Sequence, residues 1–318
     1  MNSIKALLVF SLLMVSAAQA NDRVRVGKSQ ASAWTFLLID IGVEHGFFAK
    51  QGIEIESADL AGDAKLQQGL AAGSIDFGLG SGPGMAFAAK GSPVIAVAAF
   101  AGPPRNIGAI VLRDSNIEKV TDLKGKTIAV STTGSLSDWL AKQMAIQEGW
   151  GQDGIRAAPL GAIPTSIAAL KTKQVDAVVL AVEAGLRLEE QNEGRVLATM
   201  DRYAPNFITH VVFAQKSLVA SNPDLVRRFL QGFFDAIAFL KTHKEETSRL
   251  AERVLLHSPS LARKVYDLEA GMFSDDGRFE PLAITTLKKS FIDMKTLRSE
   301  PADAELFTTQ FVPIKRQP

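Results

Sequence analysis

Three short segments place hydroxyls, amides and glycines directly after apolar runs, a pattern suited to holding a small molecule by hydrogen bonds. The first follows Val24-Arg25-Val26-Gly27 and contains Ser29, Gln30, Ser32 and Thr35 with Trp34 among them. Polar groups beside an aromatic ring suit an organic ligand; an ordinary helix N-cap with a surface Trp is the plainer alternative. The second is Gly78-Leu79-Gly80-Ser81-Gly82-Pro83-Gly84, in which four glycines and a proline let backbone approach a ligand while Ser81 and the free N–H groups at the next helix start can donate hydrogen bonds. No Lys-Ser/Thr pair follows these glycines, which excludes a nucleotide P-loop and leaves a plain turn as the alternative. The third, Ser131-Thr132-Thr133-Gly134-Ser135, places hydroxyls and amides at a helix start and would hold an anion without a cationic side chain. N-capping alone needs only one of those hydroxyls.

Covalent and metal chemistry find little support. His45, His210, His243 and His257 lie far apart without H-E-x-x-H spacing, no G-x-S-x-G elbow occurs, and the chain has no cysteine. We therefore assign no catalytic residue, metal ligand or cofactor. His210, on an apolar stretch, is a candidate ligand contact, although a lone histidine there is more often a satisfied core residue. Arg105, after Gly102-Pro103-Pro104, would clamp an acid in bidentate fashion if it faced the same cleft.

Stepping outward along the chain, strands at Val24–Gly27, Ile53–Ser57 and Val94–Phe100 alternate with helices at Ser32–Phe48 and Ala64–Ala72. The same grammar restarts with a turn at Asp122–Lys126, a strand at Thr127–Val130, helices at Thr132–Glu148 and Thr165–Lys173, and a strand at Val178–Val182. Helix-turn-Ile75-Asp76 and helix-turn-Val175-Asp176 repeat one unit, so the reading is an α/β protein of two similar lobes with mostly parallel sheets. Ile107–Leu112 and Ile208–Ala214 are both apolar and are expected to run side by side as a double crossing, or hinge. That gives lobe one as 21–112, lobe two as 113–206, and a return to lobe one over 207–318. Helices are expected at Asn222–Thr242, opened by Ser221, Asn222 and Pro223, then at Glu245–Leu256 and Leu261–Phe273.

Lys5, the apolar run Ala6–Val15 and the small residues Ser16–Ala20 have the order of a secretory signal peptide cleaved after Ala20. The run is half the roughly twenty residues a spanning helix needs. Without cysteine there is no lipid-bearing thiol or disulfide, so the expectation is a free periplasmic protein. Its 35 basic and 34 acidic residues become balanced once Lys5 is removed, and no basic stretch offers a nucleic-acid footprint.

Four segments together resemble a known family. They are Glu44-His45-Gly46-Phe47-Phe48-Ala49-Lys50-Gln51-Gly52-Ile53-Glu54-Ile55, Gly69–Gly78, Asp122–Val130, and Val175-Asp176-Ala177-Val178 leading to Glu183. In that order they are similar to the periplasmic solute-binding proteins for nitrate, taurine and aliphatic sulfonates, related to the thiamine-precursor-binding NMT1/THI5-like group. The resemblance implies a type II periplasmic-binding-protein fold whose lobes close on ligand, and an ABC transporter permease in the inner membrane as partner to a monomeric binding protein. Glu183 resembles the family's acidic residue after the second Val-Asp-Ala strand, with Ala184 in place of the proline many members have; its carboxylate would contact ligand, pair across the closed lobes, or simply be solvated. The ligand expected is a small organic anion, an aliphatic sulfonate or an organic carboxylate, with Trp34 and Trp139 as aromatic walls. Nitrate, a pyrimidine or a flavin-type precursor is the alternative, as is a sensory protein docking on a receptor. The pyrimidine synthases of this fold carry a cysteine-rich motif that is absent here.

Overall fold

The computed structural model describes residues 21–30, 33–60 and 62–315; the signal-peptide reading and Ser32 lie outside the described residues. Two five-stranded sheets form two lobes. The first contains β1 (Asp22–Lys28), β2 (Ile53–Asp59), β3 (Phe77–Ser81), β4 (Val94–Ala101) and the late strand β10 (His210–Gln215), in the order β2-β1-β3-β10-β4. The second contains β5 (Ile107–Leu112), β6 (Thr127–Val130), β7 (Arg156–Pro159), β8 (Ala177–Ala181) and β9 (Gly194–Thr199), in the order β7-β6-β8-β5-β9.

The two orders follow one rule. β1 pairs in parallel with β2 and β3, and β6 with β7 and β8. Each remaining slot is filled by an antiparallel strand that has just crossed over: β5 lies between β8 and β9, and β10 between β3 and β4. The expected side-by-side pairing of 107–112 with 208–214 is therefore corrected. Each strand satisfies its N–H and C=O groups inside the opposite lobe's sheet, so 107–112, assigned above to lobe one, builds the second sheet. The connections that pass between lobes are the stretches around 102–106 and 200–209.

The Ile/Val-Asp repeat has a physical basis in this arrangement. Asp76 Oδ2 accepts the backbone N–H of Arg25 on β1 at 2.8 Å, and Asp176 Oδ2 accepts that of Thr127 on β6 at 2.8 Å. One carboxylate per lobe thus fixes the strand entering from a helix against its parallel neighbour, β3 against β1 and β8 against β6.

Helices α1 (Leu38–Glu44), α2 (Asp63–Ala71) and α3 (Ala86–Ala89) belong to the first half, and α4 (Leu136–Gln147), α5 (Ile163–Lys171) and α6 (Val182–Glu190) to the second. After β10 come α7 (Lys216–Ser221), α8 (Pro223–Thr242), α9 (Lys244–Val254), α10 (Pro259–Glu269), α11 (Pro281–Asp293) and α12 (Asp303–Leu306). The opening of α8 follows its sequence: Asn222 accepts Leu225 N–H at 3.1 Å and Pro223 occupies the first turn. Its apolar face carries Phe229, Phe233 and Phe234 into the first lobe, where Phe229 stacks on Phe77 at 4.0 Å. The single helix expected over 32–48 is instead a 3-10 turn at Trp34–Phe36 followed by α1. Gly46, in the left-handed region at φ 70°, lets the chain turn back so that Phe48 packs against Gly42. Among the described residues no helix is long and apolar enough to cross a membrane.

Candidate ligand-binding cleft

Parallel strands of both sheets end at the gap between the lobes, where ligands of open α/β sheets sit. The antiparallel β5 and β10 begin there, so their first residues face the same space. A cavity of about 490 Å³ results, within the range of small-molecule sites. Lobe one contributes Ser29 and Gln30 after β1, Asp63 at the start of α2, Ser81 at the end of β3, and Pro83 and Gly84 after it. Lobe two contributes Ser131, Thr132 and Gly134–Ser137 after β6, Ile163 and Ser166 of α5, and Leu180 and Ala181 of β8. Asn106, Ile107, Thr209 and His210 line it from the crossings, and Met294 and Thr296 from the segment after α11.

Of the residues singled out from sequence, Gln30, Ser81, Pro83, Thr132, Gly134, Ser135 and His210 line this cavity. Thr133 is exposed beside it. Gly82 lies beneath it, donating its N–H to the Thr209 carbonyl at 2.9 Å, and a Cβ there would meet the Ile208 carbonyl oxygen at 2.0 Å. Trp34 and Thr35 point into lobe one instead. Trp34 is fully buried against Phe273 at 5.8 Å and Tyr266 at 6.1 Å. Trp139 likewise stacks on Phe207 at 5.0 Å, its indole donating to Asp293 Oδ2 at 3.2 Å. Neither tryptophan walls the cleft, because a large ring removes more apolar surface from water inside a core than at a rim. Arg105 also turns away, 3.2 Å from Asp201.

The hydroxyl-rich start of α4 is largely occupied by its own side chains. Ser135 Oγ accepts the N–H groups of Thr132 and Asp138, Ser137 Oγ accepts that of Ser131 at 3.0 Å, and Asp138 Oδ2 accepts that of Gly134 at 2.8 Å. Leu136 and Ser137, as the first two helical residues, keep amides without an intrahelical acceptor.

Asp63 was not singled out from sequence, where it reads as a favourable acid at a helix start. Its Oδ1 accepts Ser81 N–H at 2.9 Å and its Oδ2 accepts the Ser81 hydroxyl at 2.5 Å. Burial raises its pKa, and the two Ser81 bonds act the other way. Burial lowers the pKa of His210 to about 4, so its ring is neutral at physiological pH. Asn106 Nδ2 bridges His210 Nε2 at 3.0 Å and Thr35 Oγ1 at 3.4 Å. Asn106 Oδ1 and Thr209 Oγ1 are buried without a partner.

That hydrogen-bonded line continues away from the cavity. Thr35 donates to Glu269 Oε2 at 3.2 Å, and Glu269 is fully buried with its pKa raised well above the usual range, first by burial and then by the charge of Glu183. Glu183 does not line the cavity. From the first turn of α6 it reaches across to lobe one, where Oε1 accepts Trp34 N–H at 3.0 Å and Oε2 lies 3.3 Å from His257 Nε2.

Two lobes exchanging strands around a polar cleft define the type II periplasmic-binding-protein fold expected from sequence. Comparison with known proteins agrees with the geometry. The periplasmic aliphatic sulphonate binding protein SsuA of Escherichia coli superposes with a TM-score of 0.77 at 18% identity, over 93% of this chain and 94% of its own. The desulfurization enzyme DszB superposes at 0.65 with 16% identity, over 92% and 97%. A Bacillus subtilis protein named, provisionally, for binding aliphatic sulfonates is 28% identical over 235 residues, 71% of this chain and 68% of its own. Residues 36–247 match the NMT1/THI5-like family model, and the chain belongs to that family.

Proposed function

We propose that this protein captures a small organic solute between its lobes on the outer side of the cytoplasmic membrane and presents it to the permease of an ABC importer. The observation that carries this reading is the cavity of about 490 Å³ walled by both lobes and by both crossings, so that hinge movement opens and closes it. The polar residues proposed as ligand contacts are Gln30, Ser81, Thr132, Ser135 and His210. The free amides at the start of α4 favour the acceptor end of an organic acid or sulfonate, in keeping with the names of the E. coli and B. subtilis relatives.

Capture rather than turnover is the reading that the names of the E. coli and B. subtilis relatives support. Among the described residues no group of histidine, aspartate and glutamate is placed to hold a metal ion. One structure of DszB is of a cysteine-to-serine mutant with biphenyl-2-sulfinic acid, whereas this chain contains no cysteine. Thermal melts of the purified protein against sulfonates, nitrate, aromatic carboxylates, pyrimidines and flavins test the reading. A true ligand at a hundred times its Kd stabilises by about 2.7 kcal/mol. Chemical conversion of a compound that gives no such stabilisation would sink the proposal.

A further inference from the structure

Asp63 stands out electrostatically within the cleft. Among the described lining residues no arginine, lysine or glutamate accompanies it, and His210 is neutral at physiological pH. Only Ser81 bonds oppose the effect of burial on its carboxyl group, with no neighbouring cation contributing. Each carboxylate oxygen accepts one bond from Ser81 and retains a further lone-pair site. A solute filling the cavity strips water from that carboxylate, which is costly unless the solute replaces the lost hydrogen bond. A bare anion would make matters worse by facing a like charge. The opposite wall, at Leu136 and Ser137, offers N–H groups of the opposite polarity.

We infer that the captured solute presents a hydrogen-bond donor, an amino, ammonium or ring N–H group, to Asp63, and that anions lacking such a donor are discriminated against. This rests on the capture reading above and narrows its substrate class. Asp63 is then a specificity-determining residue on lobe one, facing the acceptor-binding start of α4 on lobe two.

Matched probes test it by calorimetry on the wild-type protein: 3-aminopropane-1-sulfonate against propane-1-sulfonate, 4-aminobenzoate against benzoate, and 4-aminopyrimidine against pyrimidine. Charge-assisted hydrogen bonds are strong enough that, in at least one pair, the amino compound should bind roughly tenfold or more tightly. Asp63→Asn should erase that preference. It preserves the local geometry, since an Asn oxygen accepts Ser81 N–H and its amide donates to Ser81 Oγ. Equal binding within every pair that binds, or an unchanged preference in Asp63→Asn, overturns this inference and leaves capture standing. Failure of all six probes and of the broader thermal screen overturns both.

Discussion

Asp63 costs the unliganded protein stability, and that cost has a measurable sign. A carboxyl whose folded pKa is raised contributes fully below its unfolded value, near 3.8, and loses that contribution as pH rises through the folded value. At neutral pH the loss is present, and asparagine does not suffer it. Asp63→Asn should therefore raise the melting temperature of the unliganded protein at pH 7 by roughly 2 °C or more, with the gap closing on acidification. Melts across a pH series check this, and a less stable variant at pH 7 would contradict it. At this scale the sequence was legible where a side chain follows a strand end, as with Gln30, Ser81 and Thr132. It was illegible where direction matters. Trp34 and Trp139 read as cleft walls from type alone, yet each is swallowed by a core. Asp63 escaped notice because an acid at a helix start already has a local explanation in the helix dipole.

Elements carry the site through their ends. Ser135 caps α4 and also lines the cavity, whereas Thr133 is exposed beside it and is not among the lining residues. Ser135→Ala should cost about 1 kcal/mol of stability through the lost cap and weaken binding of whichever probe the cleft takes. Thr133→Ala should leave both near wild type. Denaturant titration and calorimetry separate the two, and equal effects from both substitutions would remove the distinction. The elements best read in advance were those with local rules: Thr127–Val130 matches its strand, and Asn222-Pro223 opens α8 as expected. Arg156–Pro159 and Gly194–Thr199 were missed, because short strands with arginine, alanine, glycine or proline carry weak β-propensity and are held by their neighbours. The repeated Asp76 and Asp176 were visible as a pattern, but their role in fixing adjacent strands required the pairing itself.

Across the whole molecule, Glu183 and Glu269 bring carboxylates from opposite lobes to the adjacent residues Trp34 and Thr35. Around them stand His257, 3.3 Å from Glu183, and beyond it Ser258 bonded to Glu190 at 2.8 Å. Two like charges in one buried place do not both ionise freely. With the pKa of Glu269 raised, its contribution is present in acid and is lost as pH rises through that raised value. Glu269→Gln should flatten the fall of melting temperature as pH rises past the ordinary carboxylate range, gaining roughly 2 °C or more at the high-pH end of the series. An unchanged slope would show that the buried pair has no such influence. Two-lobed architecture was readable from the repeat, but the strand exchange was not: nothing in Ile107–Leu112 or His210–Gln215 says which sheet will accept it.

The exchange also sets an order of assembly. The second sheet is drawn from one contiguous stretch, 107–199, and needs nothing outside it. The first keeps an empty slot between β3 and β4 until residues 210–215 arrive, more than a hundred residues after β4 ends. Because closing such a long loop precedes any reward from the contacts it makes, the later-made lobe has the shorter route to its native sheet. The earlier-made one cannot complete its sheet until residues 210–215 are available.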